Sequence, residues 1–233
     1  MNPFCNNIKF LRKSSGLSVK ALAQKCNVPE NLIINIEKGK AKLEPSQVTA
    51  FSEVLTCPIE KLFIKDIEAD NKKLSKFNFK FLALDVDGVM TDGGMYVTEK
   101  GDEFKKFNTK DGLAIIHLIK AGHNVGIVSS GFNKNIVESR AKLLGIKYCY
   151  IGTWNKLEIL EQWCKELKIS LKNIAYIGDD LNDMQIFEKA GLTACPADAV
   201  PAIKAKADII LSRKGGDYCV REFIDEHLSA LLK

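Results

Sequence analysis

Two rhythms of apolar and polar residues divide this chain. Through "IKFLRKSSGLSVKALAQKCNVPENLIINIEKGKAKLEPSQVTAFSEVLTCPIEKLF" the apolar positions recur at the spacing of one helical face. Ser18 precedes a helix carrying Leu22 and Ala23 that Cys26 closes, and Asn27 and Val28 make a short turn. Pro29 suits the first turn of the next helix, where Leu32, Ile33 and Ile36 repeat. Ser46 is the N-cap candidate of a fourth helix, and a last one is predicted near Pro58 to Phe63. From Phe79 the rhythm changes. Short apolar runs, "FKFLALDV", "NVGIVSS", "KYCYI", "NIAYIGD", "LTACP" and "ADIIL", read as strands. Between them "DGLAIIHLIKAG", "NKNIVESRAKLLG", "NKLEILEQWCKELK", "DLNDMQIFEKAG" and "DAVPAIKAKA" have helical period, several ending in glycine.

Strand and helix in alternation predict an α/β fold, a parallel sheet covered on both faces, with ligands beyond the carboxyl ends of the strands. The polar and charged stretch "IKDIEADNKKLSKFN" separates the two rhythms. The expected organisation is a small all-α unit at 1–66, a linker at 67–78 and an α/β unit at 79–233.

Charge sharpens that division. Residues 1–80 hold 14 Lys and Arg against 8 acids, and residues 81–233 hold 20 against 21. Either the two units meet different partners, or a basic linker simply adds to a solvated surface. Seven cysteines without a Cys-x-x-Cys pair, and only three histidines, argue against a zinc site or a disulfide frame. No apolar run has the length of a membrane span, and "MNPFCNNIKFLRKSSG" lacks the apolar core of a signal peptide, so a cytoplasmic protein with no membrane partner is expected. His117, His123 and His227 read as structural or surface residues.

The stretch "FKFLALDVDGVMTDGG" carries the chemistry. It sets Asp85 and Asp87 at the mouth of a buried strand with Asp92 close behind. Two carboxylates ~4 Å apart repel by about 4 kcal/mol at an effective dielectric of 20, so something positive belongs among them. Later strand ends present Ser130 and Gly131, then Lys156 opening a helix, then Gly178, Asp179 and Asp180 with Asp183. In this order the motifs resemble those of the haloacid dehalogenase superfamily. A phospho-receiver also uses acids, Ser or Thr, and Lys, but places its acceptor Asp on a middle strand. The resemblance implies a Rossmann-like domain in which Asp85 is the nucleophile of an aspartyl-phosphate route and Asp87 the general acid and base. It implies Mg²⁺ held by Asp85, the Asp87 carbonyl and Asp179, with Asp183 through water, and Asp180 either assisting or capping the following helix. Ser130, Gly131 and Lys156 would bind the phosphoryl oxygens.

Between the first strand and the next helix, "TDGGMYVTEKGDEFKKFNTKDG" alternates apolar and polar around a turn and reads as a β-hairpin flap in place of a cap domain. Here "DVDGVMTDGGMYV", "KKFNTKDG", "GDDLNDM" and "KGGDYCVREF" resemble the 3-deoxy-octulosonate 8-phosphate phosphatases and the related 9-phosphate phosphatases of nine-carbon keto-deoxy acids. That likeness implies a phosphorylated sugar-acid substrate and a homotetramer. Lys105 or Lys106 would meet the sugar acid, and Asn108 and Asp111 would shape the entrance. Arg221 would bind a carboxylate or pair with a nearby acid. The octulosonate enzymes usually carry Arg, and the nine-carbon relatives often Glu, where this chain has Phe132; Tyr218 replaces a small residue.

The first 65 residues, through "GLSVKALAQKCNVPENLIINIEKGK", resemble the lambda-repressor-like (XRE) helix-turn-helix family. That implies DNA contacts from Glu30, Asn31 and Asn35, with Lys38 and Lys40 near phosphates. The face lacks arginine and carries an acid, so a helical module for assembly stands beside the DNA reading. The alternative to an enzyme is a transcription regulator whose α/β unit senses a sugar phosphate.

Overall fold

The computed structural model describes residues 3–57, 59, 62, 76–131 and 134–229. Its contacts separate two units, Met1–Lys76 and Phe77–Lys233. The predicted last helix near Pro58 to Phe63 lies largely outside the described residues, as do Phe132 and most of the expected linker.

In the first unit four helices follow one another, α1 (Pro3–Ser14), α2 (Val19–Lys25), α3 (Glu30–Glu37) and α4 (Pro45–Val54). Ser18 caps α2, its Oγ accepting from the Ala21 N–H at 3.0 Å. Ile8, Leu22, Ile33, Ile36, Phe51 and Leu62 are completely buried against one another, which is where the helical spacing put them. The start of α4 corrects the sequence reading. Glu44, not Ser46, is its N-cap, because Pro45 is ready-made for the first helical position and Gln47 closes a capping box on the Glu44 backbone.

The second unit is built on six parallel strands, β1 (Phe81–Leu84), β4 (Asn124–Ser129), β5 (Tyr148–Ile151), β6 (Ile174–Ile177), β7 (Leu192–Cys195) and β8 (Ile209–Ile210). A hairpin of β2 (Tyr96–Val97) and β3 (Glu103–Phe104) stands apart as a separate antiparallel pair. Helices α5 (Thr109–Lys120), α6 (Lys134–Leu144), α7 (Lys156–Leu167), α8 (Met184–Lys189) and α9 (Pro201–Lys206) connect the strands, and α10 (Cys219–Glu222) continues as a wider turn through Leu228.

The strand order is β5-β4-β1-β6-β7-β8. All four residues of β1 are buried, as a central strand covered on both faces requires. The chain leaves β1 toward β4 and later returns to β6 on its other side. The carboxyl end of β1 is therefore the point where the order reverses, the place such sheets offer a ligand. Leu84 is in register with both Ile127 and Ile177, which levels the three strand ends beneath that crevice.

Candidate active site

Asp85 directly follows Leu84, and its N–H completes the ladder by donating to the Ile177 carbonyl at 3.0 Å. Its Oδ1 accepts from the Val86 N–H at 2.7 Å, so backbone fixes one edge of the carboxylate. The next turn needs Gly88, whose φ is +77° and whose missing Cβ would lie 2.0 Å from Asp179 Oδ2. A Cβ on Gly215 would in turn lie 2.0 Å from the Gly88 carbonyl oxygen, while Gly216 N–H donates to Val89. The late "KGG" thus seals the loop that carries the acids.

Three acids converge here. Asp85, Asp179 and Asp183 each offer an oxygen within 4.8 Å of the others. One lysine serves them: Lys156 Nζ lies 2.7 Å from Asp85 Oδ2 and 2.8 Å from Asp183 Oδ1. Asp183 is wholly buried and also accepts from the Tyr176 hydroxyl at 2.6 Å and the Asp179 N–H at 2.9 Å. Burial, then repulsion from Asp183, pushes the Asp85 carboxyl up to about 7 against the pull of Lys156. Burial followed by Asp85 and Asp183 does the same to Asp179, also to about 7. Burial would lower the Lys156 ammonium, but its two carboxylate partners hold it above the ordinary lysine value.

Asp87 belongs to a different group. Lys105, from the hairpin, reaches it at 2.6 Å and Glu103 at 3.0 Å, and the Thr91 hydroxyl lies 3.3 Å from the same Asp87 oxygen. A cavity of about 440 Å³ opens above both groups. Asp85, Asp87, Ser130, Gly131, Asp179, Asp180 and Lys105 line it, with Ser129, Glu103, Met95 and Asn182.

Several predicted residues have other employment. Lys156 is buried behind Asp85 and is absent from the cavity wall. Asp180 caps the turn that starts α8, accepting from the Leu181 N–H. Asn108 and Asp111 are not among the residues that line this cavity. Asn108 caps α5 and donates to the Gly216 carbonyl at 3.1 Å. Asp111 is buried and accepts from the Arg221 N–H at 2.7 Å, fastening α5 to α10, and burial raises its carboxyl to about 6. The Arg221 guanidinium is taken by Asp225, one helical turn on, and Lys106 by Asp92 at 3.1 Å. In the first unit Glu30, Asn31, Asn35, Lys38 and Lys40 are all exposed.

Sequence reasoning missed Tyr176, Glu103, Thr91 and Asn182. Tyr176 sits in an apolar strand and reads as core, so nothing local marks its hydroxyl as the partner of Asp183. Asn182 could have been found inside "GDDLND", since the neighbouring acids were; its amide lies 3.5 Å from Ser130 Oγ. Among the described residues no helix is long and apolar enough to cross a membrane.

Comparison with known proteins gives two family matches, haloacid dehalogenase-like hydrolase over residues 132–217 and helix-turn-helix over residues 8–62. The 3-deoxy-D-manno-octulosonate 8-phosphate phosphatase KdsC of Escherichia coli K12 is 40% identical over 148 residues, 64% of this chain and 78% of that protein. The crystal structure of the phosphatase of that name from Yersinia pestis matches with a TM-score of 0.65 at 38% identity, over 69% of this chain and 85% of its own. The Moraxella catarrhalis phosphatase, crystallised with magnesium ion, phosphate ion and KDO molecule, matches with a TM-score of 0.65 at 33% identity, over 70% and 92%.

Proposed function

The chain belongs to the haloacid dehalogenase-like hydrolases, in the branch of the octulosonate 8-phosphate phosphatases, and carries a helix-turn-helix unit ahead of the hydrolase; from that premise we propose that it is a Mg²⁺-dependent phosphatase of a keto-deoxy sugar-acid phosphate. The observation that carries this reading is the convergence of Asp85, Asp179, Asp183 and Lys156 at the carboxyl end of β1. The donor set fits a hard divalent cation, being all oxygen and holding more negative charge than one lysine balances. Asp85, Asp179 and the Asp87 carbonyl would hold the ion, with Asp183 behind them. When bound, it would neutralise acids and phosphate oxygens so that anion can approach anion.

Asp85 attacks phosphorus, and the ester P–O bond breaks as Asp87 gives its proton to the leaving oxygen. Water then attacks the aspartyl-phosphate, Asp87 takes the water's proton, and inorganic phosphate leaves with Asp85 restored. Ser130 and Gly131 line the cavity and would bind the phosphoryl oxygens, and Lys156 lies behind the nucleophile as the fixed positive charge. Lys105 holds Asp87 in place from the hairpin.

The test is phosphate release from octulosonate 8-phosphate and from N-acylneuraminate 9-phosphate, with Mg²⁺ and with chelator, by wild type and Asp85→Asn. Turnover that survives chelation, or that Asp85→Asn retains, would overturn the mechanism. The preferred acid, eight-carbon or nine-carbon, is read from the same panel. The exposed Met95, Val97 and Phe104 of the hairpin support assembly as a homotetramer.

The helix-turn-helix match favours a second reading, a regulator that binds DNA through Asn31, Asn35 and Lys38 while the hydrolase unit senses a sugar phosphate. A sensor has no need of a leaving-group acid, and Asp87 is present and held. Binding of sugar-acid phosphates without release, together with nanomolar sequence-selective DNA binding at physiological salt, would establish the regulator instead.

A further inference from the structure

Beside the cavity over Asp85 lies a second depression of about 450 Å³, lined by Gly131, Lys134, Tyr150, Gly152, Thr153 and Trp154. Gly131 is common to both, and Ile151, between Tyr150 and Gly152 in the chain, lines the first. Trp154 is 63% exposed, yet it is held in place. Its backbone N–H donates to the Tyr150 hydroxyl at 3.0 Å, and the two rings stand 6.5 Å apart at 34°. Gly152 lacks the Cβ that would lie 2.5 Å from that hydroxyl, so the Tyr150–Trp154 arrangement depends on glycine at this position.

We infer that this depression takes the far end of the substrate, with Trp154 against the carbon chain of the sugar and Lys134 against its carboxylate. The inference rests on the reading of the protein as a sugar-acid phosphatase. An exposed, positioned aromatic with one cation beside it is the composition of a small-molecule subsite, apolar surface plus a single orienting charge. The distribution of cations selects this flank. Lys105 is spent on Asp87 and Glu103, Lys106 on Asp92, and Arg221 on Asp225. Lys134 lines the depression and forms no ion pair with any acid among the described residues. A phosphate ester too short to pass Gly131 never reaches it, so these residues govern selectivity and leave the transfer of phosphorus to the Asp85 side.

The experiment compares Trp154→Ala, Trp154→Phe, Lys134→Gln and Lys134→Arg with wild type, in the full chain with Mg²⁺. Three esters are used: octulosonate 8-phosphate, a neutral hexose 6-phosphate and glycerol phosphate. For Trp154→Ala the kcat/KM of the sugar acid relative to glycerol phosphate falls by about tenfold or more, chiefly through KM, and Trp154→Phe restores most of it. For Lys134→Gln the preference for the acid over the neutral hexose ester falls by a similar factor, and Lys134→Arg restores it. Free octulosonate, which has no phosphate, quenches the tryptophan fluorescence of wild type but not of Trp154→Phe, whose remaining tryptophan is Trp163. Wild-type turnover with selectivity unchanged in all four variants overturns the subsite and leaves the phosphatase standing. Absence of wild-type turnover removes the phosphatase, and the fluorescence titration then decides the subsite, which falls if no Trp154-dependent signal is seen. A change in sedimentation on Trp154→Ala with unchanged selectivity assigns the indole to contact between copies and also overturns it.

Discussion

Each unit buries an ion-pair system, and the two are built on opposite principles. In the helical unit Arg12 of α1 meets Glu37 of α3 through one guanidinium edge, Nε and Nη2, at 2.5 and 3.0 Å, and its Nη1 donates to the Leu17 carbonyl. One cation faces one anion and each guanidinium nitrogen donates. At the end of β1 a single lysine faces Asp85 and Asp183, with Asp179 alongside. The first system is closed and holds helices together. The second leaves net negative charge in a place water reaches poorly, which costs stability unless charge arrives from outside. Imbalance, more than burial, separates a site from a brace.

The sharpest way to break the comparison is to remove one acid from each. Asp85→Asn deletes the proposed nucleophile, and phosphate release should fall by on the order of 10⁴-fold or more. The same substitution relieves repulsion with Asp183, so without Mg²⁺ the variant's melting temperature should equal or exceed that of wild type. Glu37→Gln does the reverse. It strands Arg12 and should cost about 2 to 3 kcal/mol, at the low end of the buried-pair range because a tenth of each side chain still meets solvent. Denaturant titration resolves the helical unit's transition. An Asp85→Asn protein less stable than wild type would make its cluster a brace after all.

The sequence made this contrast half legible. Asp85, Asp179 and Lys156 stood at the ends of apolar runs, and parallel strands have only one edge where such ends gather, so their meeting could be foreseen. Arg12 with Glu37 could not, because 25 positions and a helix crossing separate them and either residue alone looks like a solvated surface charge. The same blindness hid Tyr176, whose apolar strand neighbours disguise a hydroxyl with a specific partner. It also hid the partners of Asn108 and Asp111. Both precede or open a helix near the hairpin, but their polar groups are spent on Gly216, Arg221 and the helix N-terminus, contacts made across more than a hundred residues. Long-range backbone partners leave no periodic signal.

Asp111 offers a third case, an acid buried with no cation bonded to it. Its Oδ2 and the nearby Arg140 Nε are both buried without a hydrogen-bond partner. Burial raises its carboxyl to about 6, so the folded protein keeps this proton to higher pH than the unfolded chain, whose value is the ordinary 3.8. Its protonated form therefore stabilises fully below pH ~4, and that contribution is lost as pH climbs through 6. Asp111→Asn keeps the acceptor for the Arg221 N–H and removes the titration. Melts taken from pH 4 to 7 should show the variant gaining on wild type by about 2 kcal/mol across that range. Parallel curves would mean that Arg140 already compensates the charge.

The finest discrimination between brace and site comes from Tyr176. Its hydroxyl donates to the same Asp183 oxygen that Lys156 engages, and burial, followed by the surrounding acids, lifts its own proton affinity well above the ordinary tyrosine value, so it keeps the proton it donates. Removing it by Tyr176→Phe leaves Asp183 with Lys156 and the Asp179 N–H, so the fold should lose about 1 kcal/mol, the net value of one hydrogen bond. If Asp183 is simply an anchor for Lys156, turnover should not change. If the hydroxyl also tempers the negative charge that Asp183 presents to Asp85, its loss should strengthen their repulsion and lower kcat by a few-fold at unchanged KM. Measuring kcat and the melting temperature on one preparation separates the two, because a brace moves only the second.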